Sequence, residues 1–123
     1  MRKNGDLFTG QWQNDAINGY GKSEQVNGDV YEGMWKDNKR EGKGTLKFGD
    51  GDVYEGQWAN NMRNGQGKFT QQKGDVYEGC WKDNKRNGQG IKIYENGEKY
   101  EGLWKNDKKN GEGILSLKDR VYY

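Results

Sequence analysis

Every tryptophan in this chain closes a copy of one eight-residue stretch, and the copies recur every 23 residues. Gly28-Asp-Val-Tyr-Glu-Gly-Met-Trp35 returns as Gly51-Asp-Val-Tyr-Glu-Gly-Gln-Trp58 and as Gly74-Asp-Val-Tyr-Glu-Gly-Cys-Trp81. A looser copy, Gly97-Glu-Lys-Tyr-Glu-Gly-Leu-Trp104, follows, and an eroded one, Gly5-Asp-Leu-Phe-Thr-Gly-Gln-Trp12, comes first. A strict period in the low twenties marks a solenoid or array, whose units each touch only their neighbours. The units run 5–27, 28–50, 51–73, 74–96 and 97–119, and Arg120-Val-Tyr-Tyr123 reads as the opening of a sixth. No proline, linker or shift of composition divides them, so residues 1–123 are expected to form a single array.

Within a unit the first half alternates with period two, which predicts a β-strand. Tyr31, Gly33 and Trp35 share one face; Val30, Glu32 and Met34 share the other. The polar run Lys36-Asp-Asn-Lys-Arg-Glu41 reads as a loop, and Gly42-Lys-Gly-Thr-Leu-Lys-Phe48 as a second short strand, which makes each unit an antiparallel hairpin. Units meet at Asn27-Gly28, Asp50-Gly51, Lys73-Gly74 and Asn96-Gly97. Asn-Gly and Asp-Gly are strong signals for two-residue turns with positive φ at both positions, so a tight turn is expected at these junctions. The whole is an all-β meander of about ten strands. Helix has nowhere to start, because no window carries a 3.6-residue apolar stripe.

Leu, Ile, Val and Phe supply only 17 of 123 residues, too few for an ordinary core. The rings must take their place. Twenty of the 21 glycines fall in four slots of the unit, including the middle of the first strand (Gly33) and the pair Gly42/Gly44. Glycine inside a strand marks a place where something packs on bare backbone. The neighbouring Tyr or Trp ring is the natural candidate.

Tyr-Glu-Gly-x-Trp, a short polar loop and Gly-x-Gly at this period resemble the MORN repeat (membrane occupation and recognition nexus) over almost the whole chain. The resemblance implies stacked hairpins forming an elongated, twisted, groove-bearing ribbon. It also implies a protein-interaction scaffold of cytoskeletal, ciliary or membrane-junction assemblies. The first unit departs from the pattern at Phe8 and Thr9. The second strands disagree in phase, with Leu46 and Phe48 in one and Ile91 and Ile93 in the other, so their faces stay unassigned.

Catalytic and metal chemistry finds no footing. Histidine is absent, Cys80 is alone, and Ser23 and Ser116 have no base beside them. No catalytic residue, metal or cofactor is expected. The repeated carboxylates Glu32, Glu55, Glu78 and Glu101 read as a solvated face. Net charge is +2 and no basic face is concentrated, which argues against nucleic acid. One cysteine and no apolar stretch of ~20 residues fit a cytoplasmic location, and the MORN resemblance implies a place at the cytoskeleton, cilium or membrane periphery.

Two rows of residues stand out as binding candidates. The rings Tyr31, Trp35, Tyr54, Trp58, Tyr77, Trp81, Tyr100 and Trp104 are expected to form the core. In a one-layer ribbon they should also leave a partly exposed groove for a peptide or helix of a protein partner. The basic series Lys39, Arg40, Arg63, Lys85, Arg86, Lys108 and Lys109 recurs at one position of the unit and should line one edge, where acidic head groups can dock. That edge carries the competing expectation: a phosphoinositide-directed membrane adaptor, or the targeting segment of a larger lipid kinase or methyltransferase. Self-association, where it occurs, is expected through the C-terminal unit, whose edge ends in the apolar Val121-Tyr-Tyr123 after Ile114-Leu-Ser-Leu117; the alternative is that the chain continues there with a sixth unit.

Overall fold

The computed structural model describes residues 5–117 in full and the backbone of residues 2–3. In it eleven strands form one antiparallel sheet in strict chain order. They are β1 (Arg2–Lys3), β2 (Asp6–Gln13), β3 (Ala16–Glu24), β4 (Val30–Lys36), β5 (Lys39–Lys47), β6 (Val53–Ala59), β7 (Met62–Thr70), β8 (Val76–Lys82), β9 (Lys85–Ile93), β10 (Lys99–Lys105) and β11 (Lys108–Ser116). Each unit contributes two strands, as its periodicity predicts, and β1 adds a two-residue edge against Asp6 and Leu7. No helix occurs among the described residues. The expected start of a sixth unit at 120–123 lies outside them.

The turns are distributed differently from expectation. The tight two-residue turn sits inside the unit, at Asp37-Asn38, where φ is +49° and +68° and Lys36 pairs with Lys39. Asn14-Asp15, Asn60-Asn61, Asp83-Asn84 and Asn106-Asp107 repeat it. Both central residues of such a turn must enter the left-handed region, which Asn and Asp tolerate best among side-chain-bearing residues. At the Asn27-Gly28 junction only the glycine has positive φ. The loop there is longer: Gly28 N–H donates to Gln25 O (2.9 Å), and Gln25 N–H to Asp29 O (2.8 Å). Asn27 acts through its side chain, whose Oδ1 accepts the Asp29 N–H at 3.0 Å. Asp29 in turn accepts the Gly49 N–H at 2.8 Å, which ties one junction to the next.

The hairpin of each unit contains a bulge. Gly33 faces Gly44, but Trp35 faces Arg40, so Glu41, Gly42 and Lys43 stand opposite Met34 alone. Gly42 takes φ +87° to make this bend, a conformation that costs a residue with Cβ.

Beyond the bulge the register aligns one glycine from every long strand. Gly10, Gly21, Gly33, Gly44, Gly56, Gly67, Gly79, Gly90, Gly102 and Gly113 face one another in an unbroken line across the sheet. Tyr and Trp rings lie on that line. A Cβ on Gly33 would stand 2.8 Å from the Tyr31 hydroxyl oxygen, and one on Gly44 would fall on the same ring. The floor expected for the rings is therefore real, and it is continuous. Tyr31, Tyr54, Trp58, Tyr77, Trp81, Tyr100 and Trp104, with Leu46, make up the buried core.

This packing makes Gly67→Ala an informative change, since Gly67 has ordinary φ and its new Cβ would lie 2.5 Å from two carbons of the Tyr54 ring. Chemical denaturation should show a loss of about 1–3 kcal/mol, the usual cost of overpacking. In a Tyr54→Leu background the loss should shrink by more than half, because the obstructing ring is gone. Equal losses in the two backgrounds would mean that the ring does not explain the glycine.

Candidate functional site

The rings form one continuous edge-to-face ladder along the array. Its order is Trp12, Phe8, Trp35, Tyr31, Trp58, Tyr54, Trp81, Tyr77, Trp104, Tyr100, with centroids 5.1–5.4 Å apart and planes at 83–90°. Tyr31, Tyr54 and Tyr77 each touch the Trp of their own unit and the Trp of the next. Hydrogen bonds fix both rings. Tyr54 Oη donates to Gln57 O at 2.8 Å, and Trp58 Nε1 donates back to Gly44 O of the preceding unit at 3.1 Å.

Seven of the eight rings expected to line a groove are buried, the most exposed of them at 7%, and Trp35 is half-buried. They form the floor beneath the groove, and other side chains present its surface. The physical reason is a cover that sequence reading placed elsewhere. Arg40, Arg63 and Arg86 leave the edge and lie over the rings. Their guanidinium carbons sit 4.5, 4.7 and 4.5 Å from the centroids of Trp58, Trp81 and Trp104. Such contacts are worth roughly 0.5–2 kcal/mol each. The turn of the following unit holds each arginine in place. Arg40 Nη2 donates to Asn61 O at 3.0 Å, Arg63 Nη2 to Asn84 O at 3.0 Å, and Arg86 Nη2 to Asp107 O at 2.8 Å. Burial pulls the Arg40 and Arg63 guanidinium groups below their ordinary pKa.

The basic row therefore divides in two. Arg40, Arg63 and Arg86 belong to the ring face, as does Lys109, whose Nζ lies 4.9 Å from the Tyr100 centroid. Lys39, Lys85 and Lys108 remain exposed beside the turns. Each pairs across its turn with another lysine, giving Lys36/Lys39, Lys82/Lys85 and Lys105/Lys108.

Sequence reading missed the second-strand residues that face the rings. Leu46 pairs with Tyr31, Phe69 with Tyr54, and Lys92 with Tyr77, so these side chains lie on the ring face. Ile91 pairs with Glu78 and lies on the opposite one. The phase conflict resolves once the register is known. Phe48 and Phe69 meet edge to face at 6.0 Å, and Lys92 Nζ lies 5.0 Å from the Tyr94 centroid. Phe48, Phe69 and Lys92 floor an open cleft of about 380 Å³ walled by Arg63, Arg86, Asp75 and Asp107. Asp75 is only 5% exposed. Burial alone would raise its pKa, but the Glu95 N–H (2.9 Å), Lys73 (3.4 Å) and Lys92 (3.8 Å) outweigh that and hold the carboxyl below its ordinary value. The signal that would have found the floor is variability. The slot opposite the tyrosine reads Ser23, Leu46, Phe69, Lys92, Leu115, while the scaffold slots barely change.

The ladder, glycine line and paired turns define a single-sheet array of hairpins sharing one register. The family model of the MORN repeat matches it five times in succession, at 8–30, 31–53, 54–76, 77–99 and 100–120, and the chain belongs to that family. Among curated proteins none matches the chain. MORN repeats are non-catalytic modules of protein and membrane interaction. Among the described residues no group of acidic, Cys or His side chains is placed to hold a metal ion.

Burial pushes the Tyr54 and Tyr77 phenols from an ordinary pKa of 10 up to about 12, partly offset by Arg63 and Arg86, and raises Tyr31 as well. The folded state thus keeps protons that the unfolded chain gives up near pH 10. Stability from this source is complete below pH 10 and is lost as pH rises from 10 towards 12. Tyrosine absorbance should titrate in two phases, the later one coinciding with loss of the β-sheet circular dichroism. A single phase near pH 10 with the sheet intact would contradict the buried ladder.

Proposed function

We propose that this array is a non-enzymatic scaffold whose ring-face groove binds an amphipathic helix of a protein partner. The observation that carries the reading is the contrast along the groove: an invariant frame bearing a floor that changes from unit to unit. Tyr, Trp and Gly are nearly the same in every unit and select nothing. Leu46 and Phe48, then Phe69 and Gln71, then Lys92 and Tyr94 offer each stretch of partner a different surface. Phe48, Phe69 and Tyr94 are half-buried, so a partner can cover them further. A unit of two strands advances roughly 9.6 Å along the groove. Seven residues of helix advance about 10.5 Å, so a helix repeating its apolar face every seven residues meets one floor position per unit.

Displayed libraries of helical 20-mers, long enough at ~30 Å to cross three units, should yield binders to the full chain. The test variants Phe48→Gln and Phe69→Lys install residues that the same slots already hold at Gln71 and Lys92, so the fold accepts them. Combined, they should weaken selected peptides at least tenfold, whereas Glu55→Ala on the opposite face should not. Unchanged binding by the double variant would remove the groove from the proposal.

The lysine pairs beside the turns support a second reading, an adaptor that rests this edge on an anionic membrane. Each lysine near such a surface is worth ~1 kcal/mol. Co-sedimentation with phosphoinositide-containing vesicles at physiological salt should then fall when Lys39, Lys85 and Lys108 are changed to Gln. Absence of binding by the unchanged chain disposes of this reading.

A further inference from the structure

The floor of the groove changes character at one point. The slot that holds Leu46 in the second unit and Phe69 in the third holds Lys92 in the fourth, between Tyr77 and Tyr100 of the flanking strands. Its side chain is 20% exposed, so a positive charge stands on a mostly covered, aromatic floor. Covering a charge costs free energy unless a group of opposite sign meets it. Lys92 therefore needs a reason that scaffold packing does not supply.

The nearest acid within the chain is Asp75, and it is a poor partner. Lys92 Nζ lies 3.8 Å from Asp75 Oδ2, beyond hydrogen-bond reach. Asp75 has partners of its own: its Oδ1 accepts the Glu95 N–H at 2.9 Å, and Lys73 Nζ approaches its Oδ2 at 3.4 Å. Backbone settles the same aspartate slot in earlier units, where Asp29 accepts the Gly49 N–H at 2.8 Å and Asp52 the Gln72 N–H at 2.9 Å. Those units put Leu46 and Phe69 where the fourth puts Lys92, so the array holds its aspartates without a lysine there. The other acids of the cleft are taken as well. Asp50 Oδ1 accepts the Asp52 N–H at 3.0 Å, and Asp107 Oδ1 accepts the Arg86 N–H at 2.8 Å and its Nε at 3.2 Å. Lys92 Nζ rests instead 5.0 Å from the Tyr94 centroid, and Lys109 Nζ stands 5.2 Å from the same ring. Two ammonium groups thus gather round one half-buried ring.

We infer, building on the helix-binding groove proposed above, that Lys92 sets its specificity and that the bound helix carries a Glu or Asp aimed at this ammonium. Leu46, Phe48 and Phe69 take apolar residues of the same helix. Seven residues of helix advance about 10.5 Å, against roughly 9.6 Å for a unit of two strands. The acid therefore falls seven residues from the apolar residue seated on Phe69. An ammonium donating to a carboxylate in a covered site makes a charge-assisted bond, about twice as strong as a neutral one. An apolar residue in that place would cover the ammonium without pairing it, so the same slot rejects helices whose stripe is apolar throughout. The groove selects a helix whose apolar stripe is broken once, by an acid.

Selection of displayed helical 20-mers on the full chain, followed by titration of the selected peptides against variants, tests this. The peptides are expected to share a Glu or Asp seven residues from an apolar position. Changing that acid to its amide, or Lys92→Met in the array, should each weaken binding at least tenfold. The two changes together should cost little more than either alone, because both remove one contact. The slot already accepts Leu46 and Phe69, so Lys92→Met leaves the array folded. Lys92→Glu should reject the selected peptides and bind again when their acid is changed to Lys. Failure of that charge swap overturns the inference. Peptides that lose affinity with Phe48→Gln and Phe69→Lys, yet carry no acid and ignore Lys92→Met, overturn it while leaving the groove standing. Peptides indifferent to Phe48→Gln and Phe69→Lys overturn both, as does a selection that yields no binder.

Discussion

The structure depends on aromatic rings lying directly on peptide backbone. A lone sheet has no second layer to bury its side chains against, so its core must form on its own surface. At Gly33 and Gly44 the missing Cβ atoms let Tyr31 settle onto the strands, and the same arrangement recurs at Gly56 and Gly67 under Tyr54. Each edge-to-face ring pair adds about 0.5–1.5 kcal/mol beyond the area it buries. Because Tyr54 contacts both Trp58 and Trp81, no unit completes its own core. The next unit completes it, which is why the repeat makes sense only in series.

That packing also determines what the ring face presents to its surroundings. Rings left bare would be a general adhesive, equally attractive at every step. Arg40, Arg63 and Arg86 prevent this by spreading planar, charged groups over Trp58, Trp81 and Trp104 and bonding to the following turn. Lysine has no such fork, and its ammonium group is more strongly hydrated. With the rings covered, the scaffold we propose would leave discrimination between partners to Leu46, Phe48, Phe69, Lys92 and Tyr94. The invariant residues hold the groove together and the variable ones give it character.

Much of this was open to sequence reasoning because it depends on spacing alone. Period two, the 23-residue repeat and the glycine slots led to hairpins in series with rings on glycine. What escaped depends on register. The bulge at Glu41-Gly42-Lys43 shifts the second strand, so counting from Trp35 assigns Arg40 to a loop when it belongs to β5 and the ring face. Turn chemistry misled for a related reason. Asn27-Gly28 and Asp37-Asn38 both suit positive φ, and only the pairing partners show which one closes a two-residue turn. The groove floor was hidden because Phe69 and Lys92 share a slot without sharing a chemistry, which no apolar pattern reveals.

The strict chain order of the strands has a kinetic meaning. All-β folds usually form slowly because distant segments must find one another before any contact rewards the lost chain entropy. Among the described residues every strand pairs only with its sequence neighbours, and the staples between turns reach across just 21 residues. The search for partners reaches no further than about one repeat, whatever the length of the array. Such a chain can add hairpins one after another as it leaves the ribosome, each newly made unit ordering against the one before it.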